Sequence, residues 1–204
     1  KDIGVNRTVF DSLSLRDNVA MSMADVLAYN SSVYVKEHGR ASLSTVAFRG
    51  TSPSHTQVTW NGMRINSPML GMTDFSTIPA YFVDNASLLH GTSSVQSAGG
   101  GLGGLISLST APFVHDGIAA QYIQGIGSFN TFDEFARVTY GNDHWAVSTR
   151  VLYSSSDNDF KYRNHDRKEN IYDDDHNIIG QYYPEERNRS GAFKDLHVMQ
   201  ELYY

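Results

Sequence analysis

The sequence predicts an α+β domain, with a small mixed sheet and short helices, followed by antiparallel β-strands of an incomplete transmembrane β-barrel. Residues 1–112 are dense in Gly, Ser and Thr, and turn signals separate their short apolar runs, which is typical of short mixed elements. Residues 113–204 contain four longer segments of alternating hydrophobicity, each about long enough to cross a bilayer as a tilted strand. These segments lie near 118–128, 132–141, 144–154 and 192–204.

One helix is predicted in the first domain. Ser22 and Asp25 have the spacing of a capping box, and the apolar residues Val26 and Leu27 follow them. The chain turns polar at Asn30, so we expect the helix to end there.

A tight hairpin is predicted around Asn61–Gly62, which lies between the β-prone runs Val58–Trp60 and Met63–Ile65. Asn-Gly readily adopts the two positive φ angles of a type I′ turn, the turn that matches the twist of a hairpin. Further along, Leu102–Thr110 alternates in hydrophobicity, and we expect a strand there.

The second domain carries aromatic residues near the ends of its strands. In the third segment, Trp145, Val147, Thr149, Val151 and Tyr153 share one face. At about 3.3 Å per residue the two aromatics lie roughly 26 Å apart, which is comparable to the spacing of the aromatic girdles of outer-membrane barrels. For this strand alone, a soluble meander with one buried face explains the pattern equally well.

The connections between the strands favour the barrel. Only Gly141–Asp143 separates the second and third segments, whereas residues 155–191 form a long charged connection, and barrels of this type combine short periplasmic turns with long extracellular loops. Four strands cannot close a barrel, so we expect a truncated sequence whose strands expose an apolar face and unpaired edges. Such a fragment is expected to self-associate without detergent.

Composition excludes several classes of function. A net charge of -6 disfavours a nucleic-acid partner, because phosphate binding depends on clustered Lys and Arg. The absence of cysteine excludes disulfides, thiolate metal sites and cysteine nucleophiles. No segment has the length of an apolar helical span, and no signal-peptide pattern occurs at Lys1.

No motif indicates an enzyme. Gly99–Gly104 formally contains G-x-G-x-x-G, but a dinucleotide site needs a helix after it, and here a strand is expected. The eight histidines have no metal-ligand spacing such as H-E-x-x-H, and no G-x-S-x-G elbow is present. We therefore expect no catalytic residue and no resident cofactor.

Calcium is a minor hypothesis for the long connection, since carboxylates there could supply some of the six to eight oxygens that Ca²⁺ takes. The alternative is a solvated charged loop, because Lys and Arg partly neutralise the carboxylates and the spacing of a calcium-binding loop is absent. The candidate ligands are Asp157, Asp159, Asp173, Asp174 and Asp175.

The first domain resembles the plug domain of TonB-dependent receptors in several motifs that occur in the family's order. Phe48–Gly50 resembles its hydrophobic-Arg-Gly strand end, and Gln57–Asn66 resembles its central hairpin. Ile78–Pro79 follows at the expected place. Leu88–Ser94 resembles the Arg-Gly-Pro segment, and Ala98–Leu108 resembles the terminal glycine-rich strand.

The sequence departs from the family at a few polar positions. Asn61 replaces the usual Asp, His90 replaces the usual Arg, and neutral residues precede Leu88 where Glu-Arg is common. These changes affect the family's usual polar contacts between plug and barrel, although Arg49 is still available for one of them.

This resemblance implies a barrel of about twenty-two strands with its lumen filled by the plug. It implies a bacterial outer-membrane location, the uptake of a scarce nutrient, and coupling to the TonB complex through a Ton box that is not evident in this chain. Cobalamin is favoured as the nutrient, with an iron siderophore or haem next. The alternative is a soluble extracellular β-rich module that binds glycan or protein.

The resemblance places two ligand-binding loops of the plug at 51–55 and 66–74. Polar donors beside soft apolar side chains suit a bulky amphipathic ligand, although the apolar residues could instead pack against the barrel wall. The candidate ligand-binding residues are Ser52, Ser54, His55, Asn66, Met69, Leu70 and Met72.

Overall fold

The computed structural model describes residues 7–10, 15–37, 42–48, 50–90, 103–111 and 116–204. These residues form a domain with a mixed sheet and a few short helices, packed against one face of a sheet of long antiparallel strands. This arrangement confirms the predicted fold class. None of the described helices is both long and apolar enough to span a membrane.

The mixed sheet of the first domain has five strands. They are β1 (Arg7–Phe10), β4 (Thr56–Trp60), β5 (Met63–Arg64), β6 (Asn85–His90) and β7 (Gly104–Ser109), and their order in the sheet is β1-β6-β7-β4-β5. The central strand β7 runs parallel to β4 and antiparallel to β6. Leu105 and Ile106 are both buried although they are adjacent, because both faces of β7 are covered.

Helix α1 (Met23–Asn30) packs into the core of this domain, as predicted. At its start, the Asp25 carboxylate accepts hydrogen bonds from the Ser22 N–H at 2.7 Å and from the Ser22 hydroxyl at 3.0 Å. At its end, the Asn30 amide donates to the Val26 carbonyl. These side chains satisfy backbone or polar groups that a short helix leaves open.

The first domain also contains elements that the sequence did not predict. The strands β2 (Tyr34–Glu37) and β3 (Ser44–Ala47) form a separate antiparallel pair, and β1 pairs with β6. In the part of this domain that the structure describes, three short 3-10 helices lie at Pro53–His55, Phe75–Thr77 and Ala80–Phe82.

The Asn61–Gly62 hairpin is confirmed. Asn61 has φ 48° and Gly62 has φ 80°, as a type I′ turn requires, and the Ile65 N–H donates to the Val58 carbonyl at 3.0 Å. The hairpin joins β4 to the two-residue strand β5 and brings the chain back along β4.

The long-strand sheet has four strands of eleven residues each. They are β8 (Gly117–Gly127), β9 (Thr131–Gly141), β10 (Ala146–Ser156) and β15 (Phe193–Tyr203), in the order β15-β10-β9-β8. All four lie within a few residues of the predicted segments. A short turn joins β9 to β10, and the Asn142 N–H donates to the Trp145 carbonyl there at 2.9 Å.

The two faces of the long-strand sheet differ. The inner face packs against the first domain through a small apolar cluster of Val19, Phe82, Phe135 and Leu152. The outer face carries exposed apolar side chains from β8, β9 and β15, and those of β10 are half-buried between their neighbours, as the alternation predicts. Its most exposed members include Ile118, Tyr122, Ile126, Leu196, Val198 and Leu202.

The long connection is not structureless, because it contains two antiparallel pairs. They are β11 (Lys161–Arg163) with β14 (Glu185–Arg187), and β12 (Glu169–Tyr172) with β13 (Ile178–Tyr182). The second pair combines β-branched and aromatic residues, which favour strands. The connection between β10 and β15 is therefore built from paired strands.

Gly104 and Gly62 allow a matched test of the packing between β7 and the Phe48 ring. A Cβ on Gly104, which has φ +151°, would lie 2.5 Å from the Phe48 ring, whereas a Cβ on Gly62, φ +80°, would meet nothing within 4 Å. Both Gly→Ala changes introduce backbone strain of about 1 kcal/mol, but only Gly104→Ala adds overpacking of about 1–3 kcal/mol. Thermal unfolding of the two variants should therefore show the larger loss for Gly104→Ala. Equal losses would contradict the close approach of Gly104 to the Phe48 ring.

Candidate functional site

The two predicted ligand loops, residues 51–55 and 66–74, lie side by side at the start of β4. A Cβ on Gly71 would lie 3.5 Å from the Ser54 Cβ, so the loops touch at that point. We call these two segments the outward loops.

The opposite end of β4 is attached to the long-strand sheet. The Asn61 amide donates to the Thr110 hydroxyl and accepts from the Thr110 N–H, both at 2.9 Å. The Thr110 hydroxyl lies 3.2 Å from the Tyr203 hydroxyl, near the end of β15 that is paired with the short-turn end of β10. Both β4 and β7 run towards the short turn between β9 and β10. The outward loops lie at the start of β4 and are therefore on the side away from that turn.

The outward loops expose apolar side chains. Met69 is 94% exposed and Leu70 is 61% exposed, while Met72 is partly buried. Ser52, Ser54 and His55 are exposed beside them, and the two serine hydroxyls lie 2.8 Å apart. The structure therefore brings polar groups next to unpacked apolar groups.

The two loop tips are also electrically neutral. Residues 51–55 and 66–72 contain no Asp, Glu, Lys or Arg. A strongly charged ligand would find no opposite charge on these segments. A large amphipathic ligand with little net charge could bind there without burying an unpaired charge.

Asn66 differs from the other candidate residues because it is only 9% exposed. Its Oδ1 accepts from the Val58 N–H at 2.8 Å and from Arg64 Nε at 3.4 Å. Its Nδ2 donates to the carbonyls of Thr56 and Gly71, both at 2.9 Å. The side chain is thus occupied inside the loop, and the expectation that it faces the ligand does not match its position.

A buried charge cluster joins the two domains. Arg150 on β10 is 1% exposed, and its Nη2 and Nη1 lie 2.5 Å and 3.2 Å from the two carboxylate oxygens of Asp84 in the first domain. Arg150 Nη1 also donates to the Tyr81 carbonyl at 3.1 Å. Such a bidentate pair fixes both the distance and the angle between its partners.

Further charges surround this pair. Arg16 lies 3.3 Å and Arg137 3.8 Å from Asp84 Oδ1, and Glu201 lies 3.4 Å from Arg150. Burial by itself would raise the pKa of Asp84, but the hydrogen bonds from Arg150 and from the Ala111 N–H, with the nearby guanidinium charges, hold its pKa below the ordinary value. Asp84 is therefore ionised at neutral pH.

Sequence reasoning missed this cluster. The available signal was that Arg137 and Arg150 both fall on the strand face opposite to the apolar one, where a charge needs a partner from another element. No local pattern around Asp84 marks it as that partner.

A cleft of about 800 Å³ separates α1 and the preceding turn from the ends of β10 and β15 that adjoin the long connection. Its lining includes Asp17, Asp25, Glu37, Asp195 and His197. Burial, and then the charge of Asp25, raise the pKa of Glu37. The cleft is therefore an acidic gap between the domains.

Other predicted residues lie apart from the site. Arg49 and residues 99–102 of the glycine-rich motif fall outside the described residues. Asp157 accepts from the Asn130 amide, Asp159 pairs with Arg187, and Asp173 accepts the N–H groups of Asp175 and Asn177.

Across the described ranges, no three His, Asp or Glu side chains converge as a metal site. The predicted calcium ligands, including Asp174, instead belong to separate parts of the long connection, and Asp173 holds the turn of one hairpin.

Similar proteins are found by sequence and by structure. The chain is 35% identical over 92 residues to the vitamin B12 transporter BtuB of Photobacterium profundum, and 31% identical over 74 residues to that of Vibrio vulnificus. These matches cover 45% and 36% of this chain but only 15% and 12% of the relatives, so the chain spans a small part of their length.

Two solved structures show the same fold. The copper transporter OprC matches with a TM-score of 0.63 at 19% identity, over 76% of this chain and 25% of that one. The pyoverdine outer membrane receptor FpvA of Pseudomonas aeruginosa, bound to pyoverdine, matches with a TM-score of 0.62 at 16% identity, over 78% of this chain and 23% of that one.

The family model of the TonB-dependent receptor plug domain matches residues 1–105, which is more than half of the 204 residues. This match covers most of the first domain, including α1, the outward loops and the strands β1, β4, β5 and β6 of the mixed sheet, and it ends just inside β7. The chain therefore belongs to the TonB-dependent receptor plug family of the bacterial outer membrane.

Proposed function

We propose that the chain works as part of a TonB-dependent outer-membrane transporter that binds a scarce nutrient and admits it by moving the plug. The observation that carries this proposal is the buried Asp84–Arg150 pair, which attaches a plug to the inner face of a sheet whose outer face is apolar. An apolar outer face suits lipid. It does not favour the alternative of a soluble glycan- or protein-binding module.

Cobalamin is the proposed nutrient. Both sequence relatives are named vitamin B12 transporters. Cobalamin is large, with amide groups around an apolar ring system, and the neutral tips of the outward loops offer hydroxyl groups beside exposed Met69 and Leu70. Siderophore receptors also share the fold, but identities below 20% support the fold alone.

The proposed action needs no covalent chemistry. The ligand binds at the outward loops, and a pull from the TonB complex displaces the plug from the inner face. Displacement must separate Asp84 from Arg150, and removing one partner of a buried pair costs about 3–5 kcal/mol. The pair therefore keeps the plug closed until work is done on it.

The exposed apolar tip gives a test of the ligand surface. Fully burying a Met side chain stabilises a complex by roughly 1.5–3 kcal/mol. Met69→Ser in the full-length receptor should therefore weaken cyanocobalamin binding about tenfold or more, measured by calorimetric titration. Met63→Ser is the matched control, since Met63 is also exposed, at 71%, but lies at the hairpin end of β4. Equal effects at both positions would contradict the proposed ligand surface. If the receptor bound a ferric siderophore more tightly than cyanocobalamin, the siderophore would replace cobalamin as the proposed nutrient.

The Asp84–Arg150 pair gives a test of closure. Asp84→Asn removes the carboxylate charge and leaves Arg150 buried with a weaker partner. The free energy that holds the plug against the long-strand sheet in the full-length receptor should then fall by about 3–5 kcal/mol. Proteoliposomes carrying the variant should become permeable to small solutes in a swelling assay. Asp143→Asn, in the exposed turn between β9 and β10, is the control. If proteoliposomes with the two variants are equally impermeable to small solutes, the pair does not hold the plug closed.

The outer face gives a test of the membrane assignment. Val198 lies near the middle of β15 on the outer face, and Leu202 lies near its end. An arginine facing lipid costs about 2–4 kcal/mol at the bilayer midplane and about 0–1 kcal/mol near the interface. Val198→Arg should therefore lower the stability of the folded receptor in lipid far more than Leu202→Arg. The same small cost at both depths, measured by denaturant titration in vesicles, would show that the face is not in lipid.

A further inference from the structure

We propose that Asn66 is a positioning residue, which holds the two outward loops together as one rigid ligand platform without touching the nutrient itself. The proposal rests on the proposed function, because it assigns a role within the ligand surface described above.

The first step is the occupancy of the Asn66 amide. Its oxygen faces the Val58 N–H, a donor, and its nitrogen faces the carbonyls of Thr56 and Gly71, which are acceptors. This pattern allows only one orientation of the amide. At 9% exposure, the side chain has both of its N–H donors and its oxygen occupied, and no donor remains for a ligand.

The second step is the position of these partners. Thr56 begins β4 directly after the first outward loop, and Gly71 lies at the tip of the second. One amide nitrogen therefore ties the end of the first loop to the tip of the second. The contact between Gly71 and Ser54 lies next to this tie.

The third step is the closure of the second loop on itself. The Ser67 N–H donates to the Met72 carbonyl at 2.9 Å, and the Gly71 N–H donates to the Ser67 carbonyl at 2.8 Å. The loop thus presents Met69 and Leu70 on a backbone that is already ordered, although their side chains pack against little else. A loop ordered in advance does not lose that conformational entropy when it binds, so its affinity is higher.

Removal of the tie gives the first test, and it needs no ligand. In hydrogen exchange on the full-length receptor, Asn66→Ala should speed exchange at the Ser67 and Gly71 amides, while the amides of β7 keep their protection. Unchanged protection of Ser67 and Gly71 would overturn the proposal. A loss that also spreads through β7 would overturn it too, since Asn66 would then support the whole domain.

A rescue experiment gives the second test. The sequence contains no cysteine, and the 3.5 Å between a Gly71 Cβ and the Ser54 Cβ is within the range of a disulfide. Asn66→Ala should bind cyanocobalamin about tenfold more weakly than the parent, because the loose loop must be ordered at each binding event. When Ser54→Cys and Gly71→Cys are added to Asn66→Ala and oxidised, the affinity should rise to that of the same cysteine pair with Asn66 retained, and reduction should lower it again.

The same cysteine pair with Asn66 retained is the control, and its affinity should not depend on reduction. A crosslink that forms but restores nothing would show that Asn66 contacts the ligand directly. If the parent receptor itself binds no cyanocobalamin, the proposed nutrient fails, and the exchange experiment still decides the role of Asn66.

Discussion

The burial of Arg150 constrains the rest of the molecule. A guanidinium that is 1% exposed needs a closely fitted anionic partner, and Glu201 of its own sheet lies at 3.4 Å, farther away than Asp84 at 2.5 Å. The plug therefore has to bring Asp84 to one place on the inner face. Since Asp84 lies just before β6 and also accepts the Ala111 N–H, this requirement fixes the height of the mixed sheet against the long strands.

Apart from these charges, the two sheets share only a small apolar contact among the described residues. Within the described ranges, the core of the plug contains eighteen buried apolar residues, whereas the cluster shared with the long-strand sheet contains four. An interface with a small apolar core and a buried ion cluster resembles the contact of two separable bodies more than the interior of one domain. The charges specify where the plug sits, and the plug remains stable through its own core. Displacement as a unit is consistent with this division.

Local signals predicted the local elements. The capping spacing of Ser22 and Asp25 defined α1, the Asn61–Gly62 pair defined the hairpin, and alternation located the four long strands. Pairings between distant segments, such as β1 with β6, depend on tertiary packing that no short window contains. Asn66 shows the same limit, because position in the chain placed it in the ligand loop, but its burial depends on carbonyls whose locations only the folded backbone reveals.

The end of β7 is held from several directions, by Asn61 at Thr110, by Asp84 at Ala111 and by Tyr203 across the interface. β7 is also the central strand of the mixed sheet, paired with β4 and β6 along its length. In the proposed transport cycle, the closed state must form again after each round of uptake. A plug that moves as one body keeps β4 and β6 paired with β7, so only contacts across the interface, such as Thr110 with Tyr203 and Asp84 with Arg150, have to form again. Each round would then end in the same structure without a search for the correct strand pairing.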